Sequence, residues 1–227
     1  MAQAENEQNE KTNVDVVFDH LYEEIASLRL MPNDKISEAD IASQFGISRQ
    51  PVRDAFSRLA SMDLLMIRPK RATKVKRFSL TEIAKSRFVR AAIEAKVLLQ
   101  AASECDADSA VRLDASLEAQ RKVVDQGDYA AFTKLDYDFH KTLCEIAKAD
   151  FAFDVISSEK AKVDRLCTLS LSKEDRMPEL LRDHQAIIDM VKTGNAQGAV
   201  DAGMLHLSRL DDTINAISSS NANYFDP

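Results

Sequence analysis

From Leu80 to Ser218 the chain carries apolar residues at helical spacing, with one proline, Pro178, and four glycines in the whole stretch. A segment so poor in both residues has few places for the tight turns of a sheet and can interrupt its helices only briefly. The interruptions are short: Asp106–Asp108, Gly127–Asp128, Ala149–Asp150 and Gly194–Asn195. Pro178 suits a first helical turn, where its missing N–H is no loss. These breaks predict helices over 80–105, 108–126, 128–149, 151–171, 176–193 and 195–218. Six antiparallel helices with short connections make a bundle of about 140 residues.

The chain ahead of the bundle reads differently. MAQAENEQNEKTN is polar and aperiodic, which predicts a disordered tail over 1–13. VDVVFDHLYEEIASLRL then sets Val17, Leu21, Ile25 and Leu28 on one stripe of an amphipathic helix. ISEADIASQFG predicts a second helix, with Ser37 as N-cap, Ile41, Ala42 and Phe45 turned inward, and Gly46 left-handed at its end. Ser48 can cap a third, which buries Val52, Ala55, Phe56 and Leu59 and takes Pro51 in its first turn. Two short helices joined by a tight turn form a helix-turn-helix. LLMIRP and TKVKRF, joined by KRA, then read as a small basic hairpin or wing. The fold expected is mostly α: an N-terminal winged helix-turn-helix over 14–77, an antiparallel helical bundle over 78–220, and a C-terminal tail over 221–227.

Charge divides the chain along the same line. The net charge is −7, yet Ile47 to Arg77 holds nine Lys/Arg against two Asp/Glu, a local +7. From Phe78 onward there are 18 against 25. A basic block on an acidic protein points to a polyanion partner for that block, against the plainer reading of a solvated face. Arg49 and Arg53 stand at the start of a helix, where the macrodipole already favours anions, so they worsen the local field unless an anion sits there. Arg49, Gln50 and Arg53 fall on the face opposite Val52 and Phe56, where arginine can bridge guanine O6 and N7 and glutamine can read adenine. Arg58 and the wing residues Arg68, Lys70, Arg71, Lys74 and Lys76 are expected on phosphates.

No apolar run approaches the roughly 18 residues of a membrane span, and the start lacks a signal-peptide pattern, so a cytoplasmic protein with no membrane partner is expected. Cys105, Cys144 and Cys167 show no CxxC spacing and read as reduced core thiols. Four histidines are present, and three of them fall among apolar neighbours in the predicted bundle. Asp136 and His140 lie at i and i+4 on one helix face; His184 and His206 lie on the following helices. The four could converge on Zn²⁺ or another borderline divalent ion such as Ni²⁺ or Mn²⁺, although an inward histidine is more often a satisfied core residue.

The stretch SEADIASQFGISRQPVRDAFSRL closely resembles the DNA-binding core of the GntR family of bacterial transcription regulators. The remainder resembles the FCD effector domain of the FadR subfamily in VRAAIE, DYDFH, DHQAII and AGMLHL. The resemblance implies a homodimeric repressor or activator, with repression the expected mode, that binds a palindromic double-stranded DNA operator. Its bundle would sense a small carboxylic acid beside a metal. It also implies that Asp136, His140, His184 and His206 are the metal ligands and that Arg90 takes an effector carboxylate, whereas spacing alone would pair Arg90 with Glu94. The sequence departs from the family where Arg29, Asn33, Asp63 and Ala72 stand at positions often held by glycine, and Gln50 replaces a more common threonine. Two other readings remain: a DNA-binding regulator with a purely structural metal, and a metal-dependent hydrolase, which would need a positioned base; Asp138 and Asp183 are near in sequence, but Asp138 should point away from the Asp136/His140 face. The chain is not expected to be an enzyme.

Overall fold

The computed structural model describes residues 11–169 and 173–226. The chain divides into two compact units, one running to Phe78 and including the segment from Asn223, the other spanning Ser79–Ala222. Of the expected tail over 1–13, residues 1–10 lie outside the described residues.

The first unit opens with α1 (Asn13–Ala26), set by a capping box in which the Thr12 hydroxyl accepts from the Asp15 amide while Thr12 N donates to Asp15 Oδ2. Leu28 falls outside this helix, at φ 60, so the expected stripe stops at Ile25. Next come β1 (Lys35–Ile36), α2 (Glu38–Phe45) and α3 (Arg49–Ser61). Ser37 caps α2 by accepting from Ala39 N, and Gly46 closes it at φ 65 and ψ 31, a conformation that glycine adopts without a Cβ penalty. β2 (Leu65–Met66) and β3 (Thr73–Val75) form the wing. The sheet runs β1-β3-β2, antiparallel throughout, with Lys35 opposite Lys74 and Leu65 opposite Val75. Val17, Leu21, Ile25, Val52, Ala55, Phe56 and Leu59 form the core, fully buried or nearly so. Each such large side chain contributes roughly 1.5–3 kcal/mol by leaving water.

Of the four departures from glycine, Asn33 (φ 76) and Asp63 (φ 64) adopt the left-handed conformation themselves. The other two hand it to a neighbour: Leu28 takes it in place of Arg29, and Lys70 (φ 58) in place of Ala72. The wing therefore turns at Lys70, which relieves Ala72 of a strained backbone.

The second unit contains α4 (Leu80–Glu104), α5 (Ala107–Gln126), α6 (Tyr129–Ile146), α7 (Phe151–Cys167), α8 (Lys173–Lys192), α9 (Ala196–Ser208) and α10 (Leu210–Ser220). α4 packs on α6, α7, α8 and α9 around Val97, Leu113, Phe139, Ile156, Ile187 and Val191. A Cβ at Gly203 would lie 2.3 Å from Leu98 Cδ1, so an alanine there would make the Leu98 side chain shift. Two expectations fail here. The single helix over 195–218 is broken at Arg209, whose guanidinium is held by Glu179 at 3.2 Å and by Asp183 at 3.3 Å. Pro178 lies inside α8, beyond its first turn. Of the expected C-terminal tail over 221–227, residue 227 lies outside the described residues, and the part before it packs. Phe225 is buried against Phe78, with ring centroids 5.5 Å apart; Phe78 N donates to Tyr224 O, and Asp226 N donates to Phe78 O. No helix among the described residues is long and apolar enough to cross a membrane.

Candidate nucleic-acid interface and metal centre

On α3, burying Val52, Ala55, Phe56 and Leu59 turns Arg49, Gln50, Arg53 and Arg58 outward, and all four are exposed. Ser48 holds the extended N-cap backbone but makes no side-chain cap bond, contrary to expectation. Several of these side chains have partners within the unit. Arg53 reaches Glu38 at 3.1 Å, and Gln50 donates to Asp54 at 2.9 Å. Arg58 reaches Asp15 at 2.8 Å and stands 4.1 Å over the Phe18 ring, which ties it to α1. In the wing, Lys74 donates to Asn33 and Lys76 pairs with Asp63, while Arg68, Lys70 and Arg71 are exposed. His20 stacks edge-on against Phe45.

The bundle gathers its chemistry inside. α6 supplies Asp136 and His140 one turn apart, α8 supplies His184 and α9 supplies His206. All four are buried, and each offers a donor atom within 4.8 Å of the others. His184 Nε2 lies 3.2 Å and His140 Nε2 3.9 Å from Asp136 Oδ1. The outer nitrogens are held: His140 Nδ1 faces Glu94 at 3.0 Å, and His184 Nδ1 faces Gln120 Oε1 at 2.6 Å. His206 Nδ1 stands 3.7 Å from Asp183, too far for a hydrogen bond.

These residues fit a divalent cation. His140 Nε2 and His184 Nε2 are buried without a hydrogen-bond partner, an expensive state for polar atoms unless an ion is meant to complete them. Burial pushes the His184 imidazole down to about 4, with Asp136 offsetting only part of this, so it is neutral and able to ligate. Burial opposes charge on Asp136, but Lys160 and the two neighbouring imidazoles hold its carboxyl well below the usual range. Glu94 and Gln120 fix the ring orientations, as carboxylate and carbonyl partners do behind metal-bound histidines.

A cleft opens beside the cluster, walled by Asp136 and His206, by the cations Arg90, Lys160 and Arg176, and by apolar Phe132, Leu180, Leu207 and Leu210. Arg90 is buried, and its Nε and one Nη each lie 2.8 Å from Glu94 Oε1, which is the ion pair that spacing alone expects; the same side chain lines the cleft. Its guanidinium is held charged against burial by Glu94. Lys160 lies 2.9 Å from Asp136 and 2.6 Å from Asp164. Asp138 is exposed, away from the cluster.

Residues 13–75 match the family model for bacterial regulatory proteins of the gntR family, and residues 86–209 match the FCD domain. The chain belongs to the GntR family. As a GntR-family regulator with an FCD domain it is a transcription regulator and not an enzyme. It is 31% identical over 209 residues to the HTH-type transcriptional repressor RspR of Escherichia coli K12, covering 92% of each chain. Its fold is similar to that of E. coli McbR/YncC (TM-score 0.72, 15% identity, 91% of this chain and 98% of that one). It is likewise similar to a GntR regulator of Rhodococcus sp. RHA1 (TM-score 0.73, 18% identity, 91% and 99%). FCD domains often bind metal, and the buried Asp-His cluster of this GntR protein could hold one.

Sequence reasoning missed several residues of this centre. Gln120, Lys160 and Asp164 lie on helices that carry no ligand, Arg176 lies two turns before His184 on α8, and no local spacing points to them. Glu94 was visible one turn from Arg90, but its contact with His140 was not. Of the thiols, Cys144 and Cys167 are buried, while Cys105 is only half-buried.

Proposed function

We infer that the protein is a metabolite-responsive repressor that binds a palindromic operator as a homodimer and senses a small carboxylic acid in its bundle. The observation that carries this reading is the sharing of one cleft by Asp136 and His206 of the metal cluster and by Arg90, in a chain that also bears a GntR helix-turn-helix. Arg49, Gln50 and Arg53 would read bases in the major groove, with Arg53 exchanging Glu38 for DNA. Arg58, Lys70, Arg71 and Lys74 would take phosphates, Arg58 by leaving Asp15. Two-fold symmetry of the protein would be mirrored in the operator.

Asp136, His140, His184 and His206 would hold the ion, Zn²⁺ by donor set, with Ni²⁺ or Mn²⁺ as alternatives. When bound it would supply a Lewis-acidic centre at the inner wall of the cleft. Arg90 keeps one Nη group beyond its bonds to Glu94, and this group would donate to the ligand carboxylate. For the acid to act, it must bind the DNA-competent and DNA-released states with different affinity.

The test begins with genomic fragments selected by the metal-saturated protein. Their affinity is then measured across a panel of small carboxylic acids. Release by one class of acid is the expected result. Equal affinity across the panel would favour a metal that only stabilises the bundle.

A further inference from the structure

The chain passes between its two units twice, after Phe78 and after Ala222. Both crossings lie outside the segments that the two family models match, 13–75 and 86–209. The first crossing has little slack, because β3 ends at Val75 and α4 starts at Leu80. In between, Lys76 N donates to Leu64 O at 2.9 Å, and Ser79 caps α4 by accepting from the Glu82 amide. Phe78 is tied from the second crossing, wholly within the first unit. Its N–H donates to Tyr224 O at 2.9 Å, its carbonyl accepts from Asp226 N at 2.8 Å, and its buried ring packs on that of Phe225. A chain terminus ordinarily frays unless something ties it down, and here Phe225 pairs with Phe78 in a parallel bridge. At its other end the segment follows α10, which packs on α7 and buries Ile214 and Ile217.

A single covalent connection lets one body swivel on another, because each linking residue keeps two soft dihedrals. A second connection bound to the first removes most of that freedom. We propose that residues 223–226 form a strap that positions the DNA-binding unit: by clamping Phe78, Phe225 holds the chain path between the units to one course, and so fixes the separation of the two recognition helices in a dimer. Phe225 is then a positioning residue, acting on operator binding through Phe78. This rests on the reading of the protein as a homodimer on a palindromic operator. Two half-sites act together only when the separation of the helices matches their spacing. The gain is an effective concentration, which a loose connection dilutes over many separations.

Operator spacing provides the test. A palindrome from the genomic fragments that the protein selects is compared with a version lengthened by two base pairs and with a single half-site. Each is titrated with the full-length protein, with Phe225→Ser and with a chain ended at Ala222. The wild type is expected to lose about tenfold or more in affinity when the two base pairs are inserted, and both variants about threefold or less. The variants should also bind the unaltered palindrome more weakly than the wild type, and the half-site equally well. Variants that discriminate spacing as sharply as the wild type would overturn the assignment. Loss of half-site binding in both would overturn it too, by making the strap part of the winged helix's core. If the wild type bound a half-site as tightly as the palindrome, the homodimeric reading itself would fall, and this inference with it.

Discussion

The winged helix and the bundle both use arginine and lysine, in opposite settings. On α3 and the wing the cations stand in water, and where they have partners, as Arg53 has Glu38, both side chains keep solvent access. In the bundle Arg90 and Lys160 are almost wholly buried, and two of the carboxylates they touch, Glu94 and Asp136, also touch a histidine of the cluster. Exposed pairs are worth about 0–1 kcal/mol and are readily traded, which is what a surface needs if it is to exchange its own carboxylates for phosphates. A buried network behaves as a unit, because removing one charge strands the others in low dielectric. The first region is open to re-partnering, and the second holds one geometry.

The largest predicted effect tests the buried side. Lys160→Met leaves Asp136 and Asp164 without their shared cation, and should destabilise the protein by about 3–5 kcal/mol in chemical denaturation. A change as small as that of an exposed pair would show that the network is not a unit. On the open side, Arg49→Ala should weaken specific operator binding by about 1–3 kcal/mol with the denaturation midpoint unmoved, as read by fluorescence anisotropy beside a melt. Loss of stability instead would make Arg49 a structural residue. Gly46→Ala tests the turn that aims α3; it forces a side chain into φ 65 and should cost about 1–2 kcal/mol of folding stability. The smallest effect belongs to the wing. Lys70→Ala should weaken binding to all sequences alike and reduce the salt slope of log K by about 0.9. A sequence-selective loss would move Lys70 from phosphate contact to base readout.

What could be read from the sequence follows the range of the interactions. The helix-turn-helix was legible because its signals are local: the Ser37 cap, the left-handed Gly46 and the spacing of Val52, Phe56 and Leu59 lie within one stretch. The bundle's helix ends at Gly127 and Gly194 were legible for the same reason. The break at Arg209 was not, because no glycine or proline marks it and the contacts of its side chain with Glu179 and Asp183 on α8 are tertiary. β1 was missed because two residues carry no periodicity. The turn at Lys70 was missed because the wing shifted its left-handed residue by two positions from Ala72. Spacing placed Asp136 and His140 together, whereas the meeting of α6, α8 and α9 that brings in His184 and His206 is a tertiary fact. Gln120, Lys160 and Arg176 left no trace in the sequence for the same reason.

The central claim is that Asp136, His140, His184 and His206 hold a metal at the wall of the ligand cleft. Plasma mass spectrometry of the protein after zinc loading and exhaustive dialysis tests it most directly, with His184→Ala and Asp136→Asn run alongside. One equivalent of metal per chain in the wild type, and clearly less in both variants, is the predicted result. A wild type that retains no metal, or variants that retain as much as the wild type, would contradict it.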